Sequence, residues 1–132
     1  MREIKFRAWE KNMKQVIPVL NIDFEKKMIN TESAWRFFTE IELMQYTGLK
    51  EKTGRKEIFE DDIVEFNNCD YQRTGGYMDD EIVRGKVTFA CGGWMIETKN
   101  GNYDLYTALM NDEELEVIGN VFENPELLEG EA

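Results

Sequence analysis

Histidine is missing from this sequence altogether. With it go Ser-His and Cys-His catalysis, imidazole zinc sites and the usual neutral-pH proton shuttle. Ser33 is the only serine, and no Gly-rich segment matches a P-loop or a dinucleotide-binding fingerprint. Any catalysis would fall to carboxylates, Lys, Tyr or Cys. Cys69 and Cys91 are too far apart for a compact metal or redox motif, so they read as free, partly buried thiols. No apolar run approaches the roughly 18 residues of a membrane span, and the charged start Glu3-Ile4-Lys5 has no hydrophobic stretch behind it. The expectation is a cytoplasmic protein that does not enter a membrane.

What is present is charge, unevenly spread. The net charge is −11, from 27 acidic and 16 basic residues. Residues 1–59 hold 12 Lys/Arg against 9 Asp/Glu, and residues 60–132 hold 4 against 18, giving +3 and −14. Such a field bears on partners and solubility rather than on fold. The acidic half repels phosphate backbones, the basic half does not, and opposite-sign halves suit head-to-tail self-association.

Apolar periodicity is mostly that of strands. Ile4, Phe6 and Ala8 alternate with Lys5, Arg7 and Trp9, predicting a half-buried strand, and Met13–Ile17 before Pro18 predicts its edge partner. Residues 21–24 and 28–30 flank a polar turn as a short hairpin. Over 31–45 Thr31 or Ser33 can cap a short helix through Trp35, Phe37 and Phe38, while Phe37, Thr39, Ile41 and Leu43 also show strand-like period-two spacing; the expectation is a short helical turn, then a strand from about Glu42 to Tyr46.

Further strands are expected at 62–66, 82–90, 94–98, 103–105 and 115–121, with a long loop from Asn67 to Glu81 and a short connector from Tyr106 to Asn111. Asn100-Gly101 predicts a type I′ hairpin turn, and Asn124 caps a final helical turn begun by Pro125. The fold class expected is mainly β: a β-rich region with a short helix over residues 1–46, then an SH3-like antiparallel barrel over 47–132 with a short C-terminal helical turn.

Three ordered blocks, REIKFRAW near the start, LMQYTGLKEKTGRKEIFEDDIV in the middle and EVIGNVFENPELL near the end, closely resemble the YopX family of phage and prophage proteins. The family pattern has Glu-Gly-Asp-Ile-Val where this chain has Glu60-Asp61-Asp62-Ile63-Val64, and Asp tolerates left-handed backbone better than most side chains. The resemblance implies a β-rich fold with an SH3-like barrel, a phage or prophage origin, hence a bacterial host cytoplasm, and homo-oligomer formation. It implies no reaction.

The motif residues are Tyr46, Thr47, Gly48, Leu49, Gly54, Ile58, Asp62, Ile63, Val64, Gly119, Asn120, Asn124 and Pro125. They read as structural: Gly48 and Gly54 as turn residues, Tyr46, Leu49, Ile58 and Phe59 as apolar pins, and the charged residues between them facing water.

Function on this reading is a non-enzymatic protein-interaction or self-assembling module, whose partners are itself and a phage or host protein, with Trp9, Trp35 and Trp94 as candidate anchors. A second reading is nucleic-acid binding through Lys5, Arg7, Lys50, Lys52, Arg55 and Lys56, or its inverse, an acidic half that mimics DNA toward a host protein. The acidic runs Asp61-Asp62, Asp79-Asp80-Glu81 and Asp112-Glu113-Glu114 lack known metal-site or acid/base spacing. No catalytic, metal or cofactor residue is assigned.

Overall fold

A computed structural model describes residues 3–32, 34–68 and 81–129. Its strands are β1 (Phe6–Glu10), β2 (Gln15–Pro18), β3 (Asn21–Asp23), β4 (Met28–Thr31), β5 (Ala34–Phe37), β6 (Ile41–Lys50), β7 (Glu57–Phe59), β8 (Asp62–Asn67), β9 (Ile82–Ala90), β10 (Gly93–Thr98), β11 (Gly101–Asp104) and β12 (Glu116–Asn120), with helices α1 (Leu105–Asn111) and α2 (Glu126–Glu129). The fold is mainly β, in curled antiparallel sheets. Strand orders are β2-β1-β6-β7, β3-β4-β5 and β11-β10-β9-β8-β12.

The five-stranded sheet encloses the largest core. Ile58, Val64, Phe66, Val87, Ile96 and Leu115 meet there with Leu105, Ala108 and Leu109 of α1. Residues 106–111, expected as a connector, are therefore helical: Asp104 accepts the Thr107 N–H as N-cap, and the short helix buries its apolar face under the sheet. Seven residues leave one apolar stripe too short to show a period, so no helical signal is readable there from the sequence.

Strand β1 sits between β2 and β6 and is covered on both faces, not one. Ala8 points into a cluster with Ile29 and Ile41, while Arg7 and Trp9 on the other face meet Phe59 and Phe122. A third cluster of Met44, Tyr46 and Phe59, with Trp9, Val16 and Phe122 packed on it, joins the first sheet to the C-terminal segment. Strand β6 crosses the expected boundary at residue 46: Ile41–Gln45 pair with β1, and Tyr46 and Lys50 pair with β7. Gly48, at φ +87°, lies in the bulge between those two residues, inside a strand rather than in a turn.

Over 31–45 the structure corrects the expectation. Trp35 and Phe37 are in strand β5, and the helical turn is a single 3-10 turn at Phe38–Glu40. Pairing with β4, which tertiary contact alone supplies, overrides the weak cap signal.

The 99–102 hairpin is present, with Thr98 paired to Gly101 across the turn, but Gly101 alone of these residues has positive φ, so the turn is not type I′. Thr98 Oγ1 holds it by accepting the Asn100 N–H and donating to the Gly101 carbonyl. Cys91 is exposed in the β9–β10 turn, not partly buried, because that turn carries it at φ +53° away from the core. Cys69 and most of the expected loop from Asn67 to Glu81 lie outside the described residues.

Candidate interaction surface

The motif residues around 46–66 turn inward. The tight β7–β8 turn at Glu60-Asp61 carries Asp61 at φ +69°, the left-handed position for which Asp is tolerated. Its N–H donates to the Val87 carbonyl and its own carbonyl accepts from Val121, so the turn tip is pinned between β9 and the C-terminal segment. That burial, with the Glu60 charge adding to it and Lys86 opposing, pushes the Asp61 carboxyl up to about 6.

The next residue, Asp62, is almost fully buried, accepts the Phe59 N–H at 2.8 Å, and is ion-paired with Arg7. Burial pushes its carboxyl above the ordinary range against the opposing pull of Arg7. The Arg7 guanidinium also lies over the Phe59 ring, 4.5 Å from its centre.

Glu51 departs from the expectation that the charged residues of this stretch face water. It is 7% exposed, and its carboxylate accepts the Val117 N–H of β12 at 2.5 Å. Gly54 leaves it room: a Cβ there would stand 2.6 Å from Glu51 Oε1, so the carboxylate would have to shift. Thr47 Oγ1 donates to the Ile58 carbonyl at 2.7 Å, and Tyr46, Ile58, Ile63 and Val64 are buried, with Leu49 packed half-buried on the main core. Burial pushes the Tyr46 hydroxyl up.

At the other end, Asn120 Oδ1 accepts the N–H groups of Phe122 and Glu123, and Asn124 Oδ1 accepts the Asn120 N–H instead of capping the final helix. A Cβ on Gly119 would meet Asn124 Oδ1 at 2.4 Å, so glycine keeps that turn closed. Pro125 begins the turn into α2 and is exposed. These residues form a structural junction.

The expected basic surface is divided. Arg7 is committed to Asp62, and Lys5 donates to Glu57 at 2.6 Å, the hydrogen bond that raises its pKa. Lys50, Lys52, Arg55 and Lys56 remain exposed on and beside the β6–β7 loop. Of the tryptophans, Trp9 stacks on Phe122 at 5.4 Å and Trp94 packs against the main core. Trp35 is 50% exposed.

Trp35 therefore marks a surface. In the β3-β4-β5 sheet, Ile29 faces the core while Met28 and Asn30 face the opposite way, and these two pair with Phe37 and Trp35. Trp35 and Phe37, the latter 54% exposed, thus stand two residues apart on one outer face, next to Met28.

The strand edge beside them is blunted. Phe38 N–H goes inward to the Lys27 carbonyl, which by alternation turns the backbone of Trp35 and Phe37 outward. There the Phe37 N–H is taken by Glu40 and the Trp35 carbonyl by Arg36. With its edge partly satisfied, the sheet presents a face of side chains more than a template for another strand. The period-two spacing of Trp35 and Phe37 around Arg36 was the available sequence signal, hidden by the competing helical reading.

Among the described residues no group of three or more Cys, Asp or Glu is placed to hold a metal ion, and no helix is long and apolar enough to cross a membrane. A model of the YopX protein family matches residues 5–129. The crystal structure of protein EF1440 from Enterococcus faecalis is similar, with a TM-score of 0.69 and 22% identity, over 97% of this chain and 99% of that one. At that identity the likeness concerns the fold alone. No curated protein matches.

Proposed function

The chain belongs to the YopX family, and from that premise and the surface above we propose that it is a non-enzymatic protein-interaction module of a phage or prophage, working in the bacterial cytoplasm. The observation that carries this is the pair Trp35 and Phe37, both about half exposed on one sheet face while the other tryptophans are packed. Large aromatics are the side chains that anchor protein interfaces. The five-stranded sheet, read as an SH3-like barrel, is the support, and its acidic exterior suits a second copy that offers the less acidic N-terminal sheets. Self-association and docking on a phage or host protein use the same aromatic face in this reading.

The test is native mass and affinity capture of the tagged chain from infected cells, with and without nuclease, for the wild type and for Trp35→Ala/Phe37→Ala. The expected result is a nuclease-resistant assembly or partner that the double variant loses while its melting temperature is unchanged. Capture identical in the two proteins would sink the aromatic face as the contact.

A second reading is favoured by one observation: Lys50, Lys52, Arg55 and Lys56 stay exposed within seven residues. They supply phosphate contacts for a nucleic acid. Nuclease-sensitive capture, lost on Lys52→Gln/Arg55→Gln/Lys56→Gln, would put this reading first. Steeply salt-dependent capture of a basic host protein would favour the acidic half as a DNA mimic.

A further inference from the structure

The acidic half contains four cations, Arg73, Arg84, Lys86 and Lys99. The three in the described residues all line one groove of about 500 Å³, on the outer face of β9 and β10 beside α2. Arg84 and Lys86 are two apart on β9 and share a face, about 7 Å from each other. Glu97 faces Lys86 across the strands, and Lys99 follows at the end of β10. Ile82, Leu127 and Leu128 give the groove an apolar side. Ile82 is 62% exposed.

We propose that this groove binds a small anionic amphiphile, a phosphate or carboxylate group carried on an apolar body. On a half with 18 acidic and 4 basic residues, three of the cations stand together in this one concavity, beside Glu81 and Glu97, and that concentration sets both the place and the orientation of an anion.

The ion pairs already present leave room for the ligand. Lys86 and Glu97 are 3.8 Å apart with side chains 37% and 54% exposed, a loose and screened contact that an incoming anion displaces readily. Arg84 is held by Glu65 at 2.6 Å and serves as a fixed wall of the groove. The headgroup therefore goes to Lys86 and Lys99, and the apolar body lies along Ile82, Leu127 and Leu128. The volume is that of a ligand of small-molecule size. This inference does not depend on the aromatic face of β5.

The experiment is a titration of the full-length 15N-labelled chain with hexyl phosphate, hexanoate, inorganic phosphate and hexan-1-ol, read by backbone amide shifts. Expected is saturable one-site binding of hexyl phosphate or hexanoate, with the shifts at Arg84, Lys86, Thr98 and Leu128. The stronger of those two identifies the headgroup. Inorganic phosphate and hexan-1-ol should each bind at least about tenfold more weakly. Lys86→Gln/Lys99→Gln should weaken the amphiphile about tenfold or more while amides outside the groove keep their positions. Non-saturating shifts, shifts mapping elsewhere, equal affinity for inorganic phosphate, or undiminished binding by the double variant would each overturn the proposal.

Discussion

Asp61 shows how one side chain serves the backbone and strains the electrostatics. Its carboxyl is pushed up to about 6, above the ordinary 3.8, so the folded protein keeps that proton to higher pH than the unfolded chain does. The folded state then binds more protons between those values, and stability falls as pH rises from about 4 through about 6. Asp61→Asn removes the charge and keeps a residue that tolerates left-handed backbone. Its melting temperature should match the wild type near pH 4 and exceed it by a few degrees above about pH 6.5, for a gain of about 1–2 kcal/mol.

Asp61→Gly also relieves the φ of +69°, so its advantage should persist at low pH. A difference between Asp61→Asn and wild type that does not vary with pH would remove the charge as its cause. The Arg7–Asp62 pair makes the opposite demand. Asp62→Asn leaves a half-buried guanidinium with a weaker partner, and chemical denaturation should show a loss of about 3 kcal/mol or more.

Elements in this protein are held by side chains that reach across them. Glu51 ties the β6–β7 loop to β12 through the Val117 N–H, and Gly54 gives its carboxylate room. Glu51→Ala and Gly54→Ala should each lower stability by about 1–3 kcal/mol, and the double variant should lose about as much as one of them alone. Full additivity in urea denaturation would show that Gly54 matters for something other than the carboxylate.

The C-terminal turn has the same design, with Gly119 and Asn124 in contact. Strand positions were legible in the sequence because most strands here show one core-facing residue in two, as Val83, Gly85 and Val87 of β9 illustrate. Helix α1 and strand β5 were not, because seven or four residues are too few to establish a period, and their state is decided by the sheet or core they join.

The whole molecule carries its charge on one side of its sequence, −14 over residues 60–132. That half repels itself at low ionic strength, and salt screens the repulsion within about 10 Å at 0.1 M. Raising sodium chloride from about 10 to about 150 mM should therefore raise the melting temperature. A fall would mean that ion pairs such as Lys5–Glu57 and Arg84–Glu65 outweigh the general repulsion. The first sheet and the five-stranded sheet are joined by Arg7–Asp62, by Trp9 on Phe122, and by strand β6, which belongs to both sides of residue 46.

By itself, the sequence determined the β-rich class, the family, the positions of most strands and the exclusion of histidine chemistry, because alternation, composition and ordered motif blocks are properties of the linear chain. Only the tertiary structure decided which charges are available to a partner. Arg7 and Lys52 look alike in the sequence, yet one is paired with a buried Asp62 and the other stays exposed. Glu51 and Glu113 look alike, yet one is hydrogen-bonded beneath a strand and the other faces water. Trp9, Trp35 and Trp94 differ in the same way. Whether a polar or aromatic side chain is buried depends on what the rest of the chain brings against it, and for Arg7 and Glu51 that meeting is made by residues 55 and 66 positions away.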